Sequence, residues 1–406
     1  MSLSFAYLSQ GKLYIQTANG SREIESEFGQ TVQERTLTMQ RRKAWKNKGI
    51  MEMMLPPGAL EQMRQQPEAT VNIAISSVCV EAENQLLYAL EAGDVGGIFG
   101  FDLNRDREER LFHNTDFRIG ELDFNRDRQL IACTVTHRTG ISNIALMPRQ
   151  GLRPNEVTEG DSIDLAPRWI PGKHKALVYQ SAGLGRSSEG YVCDRAPFTI
   201  EKLDFDQQEV VTLANDPKSD LLSPQIGHDG LLYYIRRPYQ ARHKGFNLLH
   251  WLKEILLIPF RLVYAIFQWL NFFSQMYTGK PLMAAGTRQT VEPKQIKAWG
   301  DWITPETMRD RRFGEPDAPS LVPRTWQLMR QANQGTPELL AEGVLSYDLT
   351  TDGTLLYTNG SAIYAIYSDG KKDRLGASGG WGSTGRISEN RRGYKKGAPS
   401  GCTPIN

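Results

Sequence analysis

The 406-residue sequence contains little cysteine and does not begin with an export signal. Its four cysteines lie far apart, without the CxxC pairs of a zinc site or the dense spacing of a disulfide scaffold, so we expect reduced thiols. The N-terminus has neither a cationic start, nor an apolar run of about seven residues, nor a small-residue cleavage site. The sequence therefore predicts a cytoplasmic protein.

An excess of charge of either sign is also lacking, since 48 Lys and Arg face 46 Asp and Glu. This balance makes nucleic acid an unlikely partner for the surface as a whole, and any charge-driven partner must use a local patch. The sequence holds no HExxH pair, no Gly-x-Ser-x-Gly elbow and no Walker loop. We therefore expect no cofactor, no metal and no catalysis.

One short pattern recurs along the chain, a polar turn containing Gly, Asp or Asn followed by an apolar, β-rich segment. Such turns supply the positive φ of tight hairpins, so each copy predicts a hairpin between the first and second strands of a sheet. The six copies start at Gln10-Gly11, Glu83-Asn84, Arg126-Asp127, Pro171-Gly172, His228-Asp229-Gly230 and Thr351-Asp352-Gly353.

The spacing of these turns favours a β-propeller over a pair of β-sandwiches. Asn84 and Arg128 are 44 residues apart, and Asp127 and Gly172 are 45 apart, close to the ~40 to 45 residues of one four-stranded blade. The longer gaps indicate insertions. In the fifth blade the third and fourth strands are predicted only beyond residue 322, after a block of about eighty residues.

Three segments carry a resemblance to a known family: Asp123 to Ile131, Gly140 to Met147, and Ala166 to Gly172. They resemble the repeat of TolB-like six-bladed β-propellers, in which a proline-aromatic step precedes a Ser-Pro-Asp-Gly-type turn. The resemblance implies a fold and says little about function. We expect no counterpart of the N-terminal domain and export signal of TolB in this sequence, so the partners of TolB are not expected here.

We therefore predict an all-β protein, a six-bladed β-propeller with a helical insertion in blade five. The predicted ranges are 1–239 for blades one to five with a basic insertion near 33–68, 240–322 for the mainly helical apolar insertion, 323–376 for the rest of the propeller, and 377–406 for a disordered, basic, Gly-rich tail.

The block from Phe246 to Tyr277 is predicted to be helical, with a narrow polar stripe and a wide apolar face. Its longest stretch without a charge holds five polar residues, so an in-plane helix fits better than a membrane span. Cations and tryptophans flanking such a helix suit an anionic lipid surface. A protein partner, self-association and packing on the propeller are the alternatives. The predicted contact residues are Trp251, Leu252, Leu256, Phe260, Val263, Phe267, Trp269 and Phe273.

A second set of candidates falls on loops expected to share one face with this block. They are Asp161, Asp164, Arg186, Arg236 and Arg237, which are predicted near the mouth of the central channel. A hydrolase or metal-dependent enzyme would use Asp161 or Asp164 there with His137. The plainer interpretation is that these carboxylates cap loops and pair with arginines. The function predicted from the sequence is a non-catalytic interaction scaffold attached to a membrane surface or a partner protein.

The segment Arg41 to Lys48 holds five cations around Trp45. It could contact RNA, DNA or phospholipid. A solvated edge strand or helix is the alternative that the composition favours.

Overall fold

A computed structural model describes residues 5–17, 20–54, 72–172, 174–187, 189–240, 318–332, 335–350 and 352–377, with short strands at 296–298, 301–303, 314–315 and 388–389. The described residues are mostly β-strand, with one helix, α1 (Glu27–Met54). No helix among the described residues combines the length and the apolar character needed to cross a bilayer.

The first half of the chain forms antiparallel groups of strands that follow chain order. The groups before residue 160 are β1 (Phe5–Ser9), β2 (Lys12–Thr17) and β3 (Gly20–Ile24); β4 (Ile73–Ala82), β5 (Gln85–Ala92), β6 (Val95–Asp102) and β7 (Arg107–Asn114); β8 (Arg118–Asn125), β9 (Leu130–Thr136), β10 (Ser142–Pro148) and β11 (Asn155–Glu156).

The second half repeats this arrangement, with additional short strands. Its groups are β12 (Ser162–Trp169), β13 (Ala176–Arg186), β15 (Thr199–Asp204) and β16 (Glu209–Ala214), with β14 (Val192–Arg195) paired to the end of β13; β17 (Ser219–Ile226), β18 (Leu232–Pro238), β23 (Gln327–Gln331) and β24 (Glu338–Glu342); β25 (Ser346–Leu349), β26 (Leu355–Thr358), β27 (Ala362–Ile366) and β28 (Lys372–Ala377). The short strands are β19 (Ile296–Ala298), β20 (Asp301–Ile303), β21 (Gly314–Glu315), β22 (Ala318–Pro319) and β29 (Ser388–Glu389).

The predicted turns lie between paired strands, and their residues take the required backbone conformation. Asn84 has φ 61°, Gly230 has φ 75° and Gly353 has φ 83°, in the region where Gly and Asn are least strained. In the fifth group, β18 pairs directly with β23 although almost ninety residues separate them in the chain, with Arg236 opposite Gln327.

Successive groups pack face to face because consecutive residues of a strand point to opposite faces. Leu86 belongs to the core shared with β1 and β2, whereas Leu87 belongs to the core shared with β9 and β10. In the same way, Leu177 of β13 belongs to the core shared with β9 and β10, and Val178 belongs to the core shared with β17 and β18. This two-sided burial explains why the second strands are continuous apolar runs instead of alternating ones.

The last group packs on the first, which closes the ring. Phe5 of β1 shares a core with Leu356, Ile363 and Ala365 of the β25–β28 group. The all-β propeller fold predicted from the sequence is confirmed. The number of six blades stays a prediction, because a parallel contact between β10 and β12 joins two groups into one nine-stranded sheet.

The N-terminal sheet differs from the sequence analysis. The turn at Gln10-Gly11 was predicted to join first and second strands, but β29 pairs with the outer edge of β1, so the order is β29-β1-β2-β3 and the turn joins the second and third strands. Two residues of the tail predicted to be disordered thus lie in a strand. The unpaired edge of β1 explains this, because exposed edges attract another strand.

The strand order defines two faces of the ring. We call the end at which the first strand of each group begins the upper face, and the opposite end the lower face. In an antiparallel group of four, the loop between the second and third strands and the connection to the next group both open on the upper face. The turns between first and second strands open on the lower face.

Candidate interaction site

A buried ionic cluster lies at the upper end of the β17–β18 pair. Asp220 of β17 is 1% exposed and Arg237 of β18 is 5% exposed. Arg237 Nε donates to Asp220 Oδ2 at 3.1 Å, and Arg195 donates to both oxygens of Asp220 at 2.8 and 3.1 Å. Burial alone would raise the pKa of Asp220, but the guanidinium groups of Arg195 and Arg237 prevail and lower it. Asp220 is therefore charged and fixed.

This cluster holds the point at which the chain leaves the sheet. The residue after β18, Tyr239, donates its hydroxyl to the carbonyl oxygen of Arg195, and its backbone N–H bonds the carbonyl of Lys218 at 2.9 Å. The guanidinium of Arg237 lies 5.3 Å from the ring centroid of Trp326, which directly precedes β23. The outgoing strand and the returning strand are thus joined at one place.

The returning chain is fastened a second time, to the turn between β26 and β27. Asn359 donates from Nδ2 to the carbonyl of Ala318 at 3.1 Å, and Ser361 Oγ donates to the carbonyl of Pro319 at 2.6 Å. Gly360 has φ 92°, and a Cβ there would stand 2.8 Å from Leu321 Cδ1. Only glycine meets both requirements, so the close approach of Leu321 depends on it.

Two of the predicted mouth residues form an ion pair at the upper face. Arg186, near the end of β13, lies 2.7 Å from Asp161, which precedes β12. The Asp161 side chain is 56% exposed. Such an exposed pair orders the two loops without a large free energy.

The other predicted mouth residues are engaged separately. Asp164 is buried and accepts a hydrogen bond from Ser181 Oγ at 2.7 Å, and burial raises its pKa. Arg236 donates from Nη2 to Gln327 Oε1 at 2.7 Å, and Arg237 belongs to the Asp220 cluster. The five predicted residues thus make separate contacts, all near one end of two neighbouring groups of strands.

The predicted contact residues from Trp251 to Phe273 lie outside the described residues. The basic segment Arg41 to Lys48, by contrast, is part of helix α1. His137, proposed as a partner of the acidic residues, bonds instead to Glu156 at 3.0 Å. In the described part of the chain, no group of three or more His, Cys, Asp and Glu residues is placed to hold a metal ion.

A buried polar network, which was not predicted from the sequence, joins first strands of several groups. Arg168 of β12 donates to Asp123 of β8 at 3.1 Å and to Asp348 of β25 at 2.9 Å. Gln225 of β17 also donates to Asp348, at 2.9 Å. Side chains therefore cross-link four first strands. Arg168 of β12 extends past the neighbouring β17–β18–β23–β24 group and contacts the β25–β28 group.

The same side chains also accept hydrogen bonds from backbone amides of neighbouring first strands. Asp123 accepts from the N–H of Trp169 at 2.7 Å, and Gln225 accepts from the N–H of Leu349 at 3.2 Å. In both cases a first-strand side chain bonds the following first strand of the network, and the accepting residue stands directly after a β-bulge in its own strand. A signal was present in the sequence, because Gln225 and Asp348 each stand five residues before a turn glycine.

The similarity of this chain to known proteins lies at the level of fold. No family model and no curated protein matches the sequence. TolB from Acinetobacter baumannii is 12% identical with a TM-score of 0.47, covering 95% of this chain and 66% of that chain. A chain of the nidogen/laminin complex is 7% identical with a TM-score of 0.48, covering 96% of this chain and 98% of its own. The tricorn protease is 9% identical with a TM-score of 0.44, covering 95% and 34%.

The sheets define the class of protein: the chain is a β-propeller, as the sequence predicts, and TolB is among the solved structures to which it is similar. This chain spans slightly less than two thirds of the length of the Acinetobacter TolB chain.

Proposed function

We propose that this chain is a non-catalytic scaffold, a β-propeller held at an anionic membrane surface by residues 246–277. The observation that carries the proposal is the double fastening of the chain around this segment. Tyr239 and Trp326 join the Arg195–Asp220–Arg237 cluster, and Ala318 to Leu321 bind the Asn359–Ser361 turn. The chain leaves and returns at one face, so a segment between these points can attach without breaking the sheet.

The composition of the segment supports lipid as the partner. The wide apolar face predicted for this segment, together with its tryptophans, suits the boundary between headgroups and acyl chains. Arg236 donates a hydrogen bond to Gln327, and the buried Arg237 donates to Asp220. The other cations that flank the segment in the sequence are Arg242, Lys244, Lys280 and Arg288. Each cation near an anionic surface adds about 1 kcal/mol to the free energy of membrane binding.

The engagement of the acidic residues supports a non-catalytic role. Asp161 pairs with Arg186, and Asp164 bonds Ser181 within the sheet. A general acid or base has to reach a substrate instead of serving as a fixed partner within the fold. If the proposal is right, D161A combined with D164A leaves unchanged any activity found in a broad hydrolase screen. Loss of such an activity would favour the alternative, a propeller hydrolase or metal-dependent enzyme.

Vesicle co-sedimentation tests the attachment. The full chain should sediment with phosphatidylserine-containing vesicles, and the triple variant W251S/F260S/W269S should remain in the supernatant. A matched control is L152S/V210S/L339S, which removes three apolar side chains that are 63%, 55% and 45% exposed on the propeller. This control should bind as the unmodified chain does.

Two results would contradict the attachment. Equal binding by both triple variants would mean that the segment does not contact lipid. A shift of oligomeric size in W251S/F260S/W269S, without any vesicle binding by the unmodified chain, would assign the segment to self-association instead.

A further inference from the structure

A polar cavity of about 480 Å³ lies in the second group of strands, beside the turn that joins β6 to β7. Its volume falls in the ~300–1,000 Å³ range of sites that bind small molecules. Four arginines, four acidic residues and Gln85 line it, together with the apolar ring of Phe101. A lining of this kind suits a hydrophilic ligand.

Three of the four carboxylates in the cavity are occupied by partners within the same sheet or the next one. Glu81 and Glu109 both accept hydrogen bonds from Arg149, Glu109 at 3.1 Å, and the Arg149 side chain is 19% exposed. Asp102 Oδ1 accepts from two N–H groups of the turn that follows it, at 2.9 and 3.1 Å. These carboxylates stabilise the fold and are poor candidates for binding a ligand.

The fourth carboxylate, Glu108, holds the start of helix α1. Glu108 accepts from Ser26 Oγ at 3.2 Å and from the N–H of Glu27 at 2.6 Å. Ser26 Oγ in turn accepts from the N–H of Gly29 at 3.1 Å, as an N-cap residue does. A carboxylate is favourable at the positive end of a helix, so Glu108 is also engaged by the fold.

Two of the arginines in the cavity differ from the carboxylates. Arg107 and Arg110 of β7 are exposed, and neither side chain donates a hydrogen bond or forms an ion pair with the described part of the chain. Their backbones are fixed, because Arg107 pairs with Asp102 and Arg110 with Phe99 in the β6–β7 ladder. The donors that the fold does not use are therefore guanidinium groups, whose planar geometry matches carboxylate and phosphate oxygens.

The charges around the cavity favour a compact ligand over a long polyanion. The four arginines and four acidic residues of the lining balance each other. A neighbouring cavity of about 240 Å³ shares Phe101 and is lined by acidic residues, among them Glu25 and Asp106. A nucleic-acid strand that extended from the first cavity into the second would meet these carboxylates and be repelled.

We propose that this cavity binds a small hydrophilic molecule that carries one or two carboxylate or phosphate groups, and that Arg107 and Arg110 hold those groups. The proposal is independent of the membrane attachment, because it rests on residues of β4 to β7 and on Arg149.

Isothermal titration calorimetry of the full chain, at low ionic strength and pH 7, tests the site. The probes are pyrophosphate and citrate, which separate a phosphate ligand from a carboxylate ligand. The test variant is R107Q/R110Q. The matched control is R118Q/R126Q, which removes two exposed arginines at the ends of β8 that do not line the cavity. Thermal unfolding of both variants checks that the fold is retained.

We expect the unmodified chain to bind at least one of the two probes. R107Q/R110Q should weaken this binding at least about tenfold, whereas R118Q/R126Q should change it by less than about twofold. Failure of the unmodified chain to bind either probe, or equal weakening in the two variants, would overturn the proposal. Binding of a single-stranded oligonucleotide that R107Q/R110Q abolishes, without binding of either small anion, would overturn it in favour of nucleic acid.

Discussion

The buried network around Arg168 should contribute far more to stability than its number of bonds indicates. The Arg168, Asp123 and Asp348 side chains are 12%, 17% and 9% exposed. Substitution R168A leaves two carboxylates without their shared guanidinium in a low-dielectric site, and neither can regain full hydration. Removing one partner of a buried ion pair costs about 3–5 kcal/mol. We expect a loss of that size in the free energy of unfolding.

The matched control is R186A, which breaks the exposed pair with Asp161. Both substitutions remove one arginine from the β12–β13 region, but Asp161 remains in water after the change. Urea unfolding followed by tryptophan fluorescence measures both, with the slope of the transition checked for constancy. A similar loss in the two variants would refute the assignment of Arg168 as the central cross-link of the first strands.

Three further outcomes follow from single groups. The pKa of Asp220 is lowered below its ordinary value of 3.8, so its negative charge stabilises the fold above pH 3.8, and this contribution is lost as the pH falls below that value. D220N should therefore lower the free energy of unfolding at pH 7. It should also make this free energy decrease less steeply below pH 3.8. The effect of Asp164 has the opposite sign, because its raised pKa means that its negative charge destabilises the fold at neutral pH. D164N should therefore stabilise the protein at pH 7 and have no such effect in acid. Thermal unfolding at several pH values measures this difference. G360A should destabilise by about 1–3 kcal/mol and increase proteolysis near Leu321, whereas G370A, at φ 82° with open space around its Cβ, should cost less.

Local chemistry made much of the fold predictable. The Asp-Gly and Asn turns require positive φ, and the runs after them, such as Leu231 to Tyr234, are apolar on both faces. Those two features predicted the hairpins. The tail strand at Ser388–Glu389 was not predictable in this way, because two residues carry no pattern and their pairing with β1 depends on the closed ring.

The site was less predictable, because burial and partners are properties of the assembled sheets. Arg237 and Asp164 were predicted near the mouth of a channel, and the sequence did not distinguish a buried ion pair or a buried carboxyl from an open channel mouth. Asp123 and Arg168 were read only as part of a repeat motif. Their contact joins residues 45 positions apart, and the bond from Arg168 to Asp348 spans 180 positions. No local spacing encodes such contacts.

The central claim is that the upper face of the ring turns toward the membrane. Its most direct test places a fluorescent probe on T139C, in an upper turn, or on D127C, in a lower turn, and measures quenching by brominated lipids in anionic vesicles. The account predicts strong quenching for the probe at residue 139 and little at residue 127. Equal quenching, or stronger quenching at residue 127, would contradict it.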